Sequence, residues 1–269
     1  MNSNSFEQEI DALLAGLSLK EKVALLSGKD YWGTVPIEAK GVGRVIMTDG
    51  PNGVRVGNES SNRAKNGTAT AFPTGSALAS TWDPALIHEV AIALAGETRA
   101  KGCDVLLGPM VNIVRVPVAG RNFETYAEDP YLTGKIGTAF VQGLQSRGIG
   151  ASLKHYACNN QEFERTRGSS NLDERTLREI YLAAFEMIVK EARPWTVMCS
   201  YNRVNGQHAS QNRHLLNDIL KNEWGFEGVV VSDWSANHTI FESVAAGLDL
   251  EMPGPALYYG KYLEEAVKT

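Results

Sequence analysis

The stretch Gly228-Val229-Val230-Val231-Ser232-Asp233-Trp234 sets a carboxylate and an indole directly after a run of valines. Consecutive β-branched residues make a strand covered on both faces. A parallel barrel presents its reactive groups at the C-terminal ends of its strands, so Asp233 is placed to react rather than to pack. An acid beside a flat aromatic surface suits cleavage of a sugar: a nucleophile next to a platform for the apolar face of the ring. The competing reading makes Asp233 the cap of the helix that follows.

Other apolar runs end in the same way. Val45-Ile46-Met47 leads to Thr48-Asp49-Gly50-Pro51, Ile149 to Leu153 leads to Lys154-His155, and Thr196 to Cys199 leads to Ser200-Tyr201. Arg121 lies in a long loop at the same rim. A pyranose offers vicinal hydroxyls, each a donor and an acceptor. A carboxylate accepts from two of them, while Lys, Arg or His donates back. The set therefore suits a neutral polyhydroxylated ligand. A phosphate would want glycine-rich backbone at a helix N-terminus late in the barrel, and Met252-Pro253-Gly254-Pro255 supplies prolines without N–H groups there. Lys154 as a Schiff-base former fits less well, because His155, Glu162 and Glu164 make its surroundings polar. The histidines at 88, 155, 208, 214 and 238 show no metal-ligand spacing, so neither metal nor cofactor is expected. Asp249 and Glu251 fall on one face of a strand and read as solvated rim acids.

Helices must separate these strands. Phe6, Ile10, Leu13, Leu14 and Leu17 recur at helical spacing, and Ser18-Leu19-Lys20-Glu21 is a capping box. Asp83-Pro84 and Asp129-Pro130 each read as an N-cap followed by proline at the first helical position. Asp173 caps a helix to about Ala192, and another spans roughly 212 to 224. Residues 57–70 are polar and read as an exposed loop. Strand, functional-looking loop and amphipathic helix alternate along the chain, with no Gly-x-Gly-x-x-Gly turn after any strand. The expected fold is α/β: a (β/α)8-like TIM barrel, complete or short of a unit, forming a single domain over 1–269 with its site at the C-terminal strand ends.

Composition narrows the partners. With 26 basic and 31 acidic residues and no basic run, no nucleic-acid footprint is expected. No apolar stretch reaches the roughly 20 residues that span a bilayer, so no membrane partner is expected. Cys103, Cys158 and Cys199 are scattered and read as reduced thiols. The N-terminal residues lack a basic head and an apolar run, which points away from a secretory signal and to a cytoplasmic location. The acceptor sequons at Asn58, Asn66 and Asn237 then read as chance matches.

Five segments together resemble a known family: Met47-Thr48-Asp49-Gly50-Pro51, Gly120-Arg121-Asn122-Phe123-Glu124, Glu128-Asp129-Pro130, Lys154-His155-Tyr156 and Val231-Ser232-Asp233-Trp234. They look like the N-terminal barrel of glycoside hydrolase family 3, in its β-glucosidase branch. The resemblance implies a retaining β-glucosidase that hydrolyses terminal non-reducing β-D-glucosyl residues. Asp233 resembles its nucleophile, which forms a covalent glycosyl-enzyme. Asp49 resembles the carboxylate that binds distal hydroxyls of the sugar. Arg55, Arg121, Lys154, His155 and Arg165 look like the donors around that ring. Tyr201 resembles the residue beside the nucleophile, and Met198 and Trp234 the apolar walls. Family members usually carry the acid/base glutamate on a second, α/β/α sandwich domain, expected here to be absent from the chain. Glu162, Glu164 and Asp173 are candidate substitutes. A barrel lacking that domain is expected to expose apolar surface near its mouth, inviting the missing domain or self-association. Two other functions stay open: a non-catalytic sugar-binding fragment, and a β-xylosidase of the same family.

Overall fold

The computed structural model describes residues 3–55 and 68–269, with side chains from Phe6 onward. Most of the polar segment 57–70, with Asn58 and Asn66, lies outside the described residues. Among the described residues eight strands follow in chain order: β1 Met47–Thr48, β2 Val105–Leu106, β3 Gly150–Tyr156, β4 Ser169–Ser170, β5 Thr196–Cys199, β6 Arg203–Val204, β7 Gln207–His208 and β8 Val229–Ser232. Five of them form a parallel sheet in the order β1-β2-β3-β5-β8. Helices Pro84–Ala100, Pro130–Gln145, Ala183–Ala192 and His214–Glu223 occupy the crossovers between successive members.

Single bridges carry the pairing from β8 round to β1. Leu250 pairs with Val231, Glu251 with Ser27, Gly28 with Thr34, and Gly33 with Ile46 beside β1. The α/β barrel read from the sequence is therefore present, with short strands and irregular segments completing the ring. The run at Val45 contributes less than expected. Val45 is exposed, and strand geometry starts only at Met47.

Period-two alternation sorts the core into two layers. Val197 and Val230 face outward into a large cluster with Ile87, Phe140, Leu144, Phe185 and Leu220 from the helices. Their neighbours Met198 and Val231 face inward with Met47, Val105, Leu107, Leu250 and Met252, and Trp32 and Trp234 pack on this inner cluster. Val229 departs from the doubly covered strand read from the sequence: it sits at the strand entry, 40% exposed.

The helix starts follow the local chemistry. Ser18 and Glu21 cap reciprocally. Asp83 accepts from the N–H groups of Ala85 and Leu86, Asp129 from Leu132, and Asp173 from Thr176. Glu251 corrects the solvated-rim reading. It is buried and accepts from the backbone N–H groups of Leu257, Tyr258 and Tyr259 and from the Asn237 amide. The loop after Met252 folds back over it, and that return is invisible to strand periodicity. Asn237 is itself buried. The three cysteines are buried and free.

Candidate active site

All ten residues singled out from the sequence line one cavity of about 330 Å³: Asp49, Arg55, Arg121, Lys154, His155, Arg165, Met198, Tyr201, Asp233 and Trp234. Tyr31, Trp32, Leu107 and Glu124 complete its lining among the described residues. Lys154 and His155 are consecutive on β3, and consecutive strand residues normally point to opposite faces. The β3–β5 register shifts between Leu153 and Tyr156, and both side chains reach the cavity. Asn112 clamps the His155 backbone, its amide donating to the His155 carbonyl and its oxygen accepting from the His155 N–H, each at 2.9 Å.

A continuous set of ion pairs forms one wall. Lys154 Nζ lies 3.0 Å from Asp49 Oδ1 and 3.0 Å from Glu124 Oε1. Arg55 Nη2 donates to Asp49 Oδ2 at 2.7 Å. Arg121 grips Glu124 Oε2 through Nε at 3.0 Å and Nη2 at 2.8 Å. Its Nη1 then reaches His155 Nε2 at 3.2 Å.

The opposite wall is built differently. Asp233 Oδ1 accepts from the Trp234 N–H at 2.7 Å, while the buried Oδ2 has no hydrogen-bond partner. Its nearest basic group is His155 Nε2, at 3.5 Å. The next helix starts only at Phe241, so Asp233 caps no helix. Tyr201 donates its hydroxyl to the Trp234 carbonyl at 2.8 Å. The Arg165 guanidinium lies 4.5 Å over the Tyr201 ring and bonds Glu162. Trp234 donates its indole N–H to the Tyr31 carbonyl at 2.8 Å and packs on Trp32 with ring centroids 5.5 Å apart.

Electrostatics separate the carboxylates. Burial pushes Asp49 up, but the charge and hydrogen bond of Lys154, with Arg55 and the Gly50 N–H, outweigh it and hold Asp49 at about 2. Glu124 follows the same balance: burial opposes ionisation, and Lys154 and Arg121 drive it below its ordinary value. At Asp233 burial wins, and the carboxyl is raised despite the Trp234 N–H, Lys154, Arg121 and the neighbouring Tyr201 hydroxyl. Burial and then the cations Arg121, Lys154 and Arg165 push His155 well below its ordinary value. His155 is thus neutral near pH 7, and its approach to Asp233 is not an ion pair. Burial opposes the charge on Lys154, but Asp49 and Glu124 more than compensate, so it stays protonated.

Sequence reasoning gave no role to Glu124, although the motif containing it was in view. Its spacing three residues after Arg121, forming an i,i+3 pair, was the available signal. Tyr31 and Trp32 were missed as well; an aromatic pair between Gly28 and Gly33 was their only mark. The candidate substitute acids do not line the cavity. Glu162 is held by Arg165 and Asn159, Glu164 is exposed beside Arg167, and Asp173 caps its helix. Val118, Phe123 and Phe163 are exposed on the adjoining loops that carry Arg121 and Arg165.

The fold and this mouth together define a parallel α/β barrel with a charged, aromatic-walled cavity at the C-terminal ends of its strands. The chain belongs to glycosyl hydrolase family 3, whose N-terminal domain matches residues 51–269. It is 47% identical over 264 residues to thermostable beta-glucosidase B of Acetivibrio thermocellus, covering 97% of this chain and 35% of that protein. An exo-alpha-(1->6)-L-arabinopyranosidase of Bifidobacterium breve is 51% identical over 241 residues, covering 88% and 32%. Among solved structures, beta-glucosidase 3B of Thermotoga neapolitana in complex with glucose superposes with a TM-score of 0.90 at 41% identity, over 97% of this chain and 39% of that one. The chain thus spans about a third of the length of the curated relatives it matches.

Proposed function

We propose that this barrel supplies the nucleophile and the sugar clamp of a retaining β-glucosidase. Asp233 attacks the anomeric carbon, and the glycosidic C1–O bond breaks as the leaving oxygen takes a proton. Water then attacks C1 and frees the carboxylate. The observation that carries the reading is Asp233 Oδ2: buried, without a hydrogen-bond partner, and in the lining of a cavity whose other wall is packed with hydroxyl-binding groups. Asp49 accepts from distal hydroxyls while Lys154, Arg121, Arg55 and Arg165 donate to the ring, and His155, whose Nε2 accepts from Arg121, lines the site beside them. Met198 and Trp234 cover its apolar faces.

Proton delivery to the leaving group comes from elsewhere. Among the described residues, Asp49 and Glu124 are the other carboxylates lining the cavity, and both are held deprotonated. An acid outside the described residues, on a further part of the enzyme, fits the greater length of the relatives. The barrel by itself is then expected to favour aryl glycosides, whose leaving groups need little protonation. Incubation with a dinitrophenyl 2-deoxy-2-fluoro-β-D-glucoside, followed by mass spectrometry of the peptides, tests the reading. A fluoroglucosyl adduct on Asp233 is expected, and a folded sample without that adduct refutes it.

The relative named for L-arabinopyranoside cleavage favours testing a second sugar class, since a pentopyranose presents similar ring hydroxyls to the same clamp. Parallel trapping with glucoside, xyloside and α-L-arabinopyranoside probes ranks these. Faster trapping by a pentoside than by the glucoside would move the assignment to that sugar.

A further inference from the structure

Two loops leave the rim side by side. One follows β5 and carries Tyr201; the other follows β8 and carries Asp233 and Trp234. Their strands pair directly, Cys199 against Ser232. Each loop returns a histidine to the seam: His208 ends β7 of the β6–β7 hairpin, and His238 follows the buried Asn237. The two imidazoles stack with centroids 3.8 Å apart and an interplanar angle of 31°. Glycosyl transfer as described above uses neither ring.

The hydrogen bonds fix the tautomer of His208. Arg203 Nε lies 3.2 Å from His208 Nε2, and a guanidinium only donates, so Nε2 is bare. Nδ1 then carries the proton and donates to the Tyr201 carbonyl at 3.3 Å. His208 thereby holds the backbone of the residue whose hydroxyl ties to Trp234. On the other side of the stack, Asn237 is bonded to Glu251, Ser243 and the Thr239 N–H, and the Thr239 hydroxyl reaches across to Gln211 beyond His208. His238 Nε2 is buried without a partner, which fits a ring employed for its face rather than its polar edge. Burial disfavours a charge on either ring, and Arg203 adds to that disfavour at both.

We propose that the His208–His238 stack is a positioning element that locks the Tyr201 loop against the Asp233 loop, and so sets the approach of the nucleophile to the anomeric carbon. The rate consequence rests on the glucosidase reading; the arrangement of the rings does not. Two variants separate the ring face from mere bulk: His238→Ala removes the stack, and His238→Phe keeps a flat face without ring nitrogens.

Trapping by the dinitrophenyl fluoroglucoside gives the rate, glucose titration gives the affinity, and circular dichroism confirms the fold of each variant. His238→Ala is expected to slow trapping about tenfold and to leave glucose affinity within about twofold, since a displaced nucleophile costs rate more than ground-state binding. His238→Phe is expected to recover most of the rate. Trapping by folded His238→Ala at the wild-type rate overturns the proposal, as does equal slowing in both folded variants. Should the wild-type protein itself fail to trap, the glucosidase reading falls and imidazole and tyrosine NMR spectra decide the positioning claim. They are expected to show Nδ1 of His208 protonated, and Tyr201 ring signals that shift in His238→Ala but not in His238→Phe. Unshifted Tyr201 signals in His238→Ala overturn it.

Discussion

The two walls of the cavity handle charge in opposite ways. On one, Lys154 is 3% exposed yet fully paired, bridging Asp49 and Glu124, with Arg55 and Arg121 outside them. On the other, Asp233 is also buried and keeps one oxygen without a hydrogen-bond partner. Burial acts against all three acids. Only where cations lie in direct contact does ionisation win outright. The paired wall satisfies its own charges, whereas the Asp233 wall leaves one oxygen without a hydrogen-bond partner, the oxygen that bonds to C1 under the function proposed above. Preorganised binding groups and an under-solvated reactive group are what differential stabilisation of a transition state calls for.

The sharpest way to break this contrast is Asp233→Asn. The amide oxygen retains the Trp234 N–H bond, and a buried charge whose pKa the fold raises is removed. Thermal stability near pH 7 is therefore expected to hold or rise, while fluoroglucoside trapping falls on the order of 10⁵-fold. Glucose affinity by calorimetry is expected to change little. If that affinity collapses with the rate, the two walls are one unit and the contrast fails. Lys154→Met is the complementary test. It leaves Asp49 and Glu124 facing each other without their shared cation, so denaturant unfolding is expected to show a loss of about 3–5 kcal/mol. Glucose binding should fall with it, the reverse of the Asp233→Asn pattern.

The same contrast explains what the sequence could reveal. Residues placed by strand ends were legible, because a strand length and an apolar run fix where Asp49, Lys154, Tyr201 and Asp233 emerge. Helix starts were legible from Ser18, Asp83, Asp129 and Asp173, whose capping bonds span only a few residues. What stayed hidden depends on chain segments meeting from far apart. Glu124 takes its role from Lys154, thirty positions on, and Trp32 from its packing on Trp234. Glu251 looked like a rim acid until the loop at 257–259 turned its N–H groups onto it. The β3 irregularity that lets both Lys154 and His155 face the cavity breaks the very periodicity by which strands are read.

Acid should dissect the walls in sequence. His155 has a folded-state pKa well below its ordinary 6.5, so the unfolded chain binds a proton that the folded one refuses. Its share of stability is complete above about 6.5 and declines as pH falls below that value. Asp49 is depressed from 3.8 to about 2, so its share is complete above 3.8 and is lost as pH falls through about 2. A melting-temperature series over pH is expected to fall first in the histidine window and again in the carboxylate window. In Lys154→Met the second fall should shrink, because the largest influence holding Asp49 down has gone. A second fall of undiminished size would mean that Lys154 does not control Asp49.

The smallest effect concerns the weakest tie on the Asp233 wall. Tyr201→Phe deletes the donor to the Trp234 carbonyl and keeps the ring beneath Arg165. One neutral hydrogen bond contributes about 0.5–1.5 kcal/mol, well below the loss expected for Lys154. Denaturant unfolding measures that loss, and the trapping rate reports whether the Trp234 backbone has moved. If the stack of His208 and His238 fixes the seam, Tyr201→Phe lowers the rate only modestly by itself. Combined with His238→Ala it should lower the rate by more than the product of the single effects, because each tie backs up the other. Strictly multiplicative losses would show that the hydroxyl and the stack act on Asp233 independently.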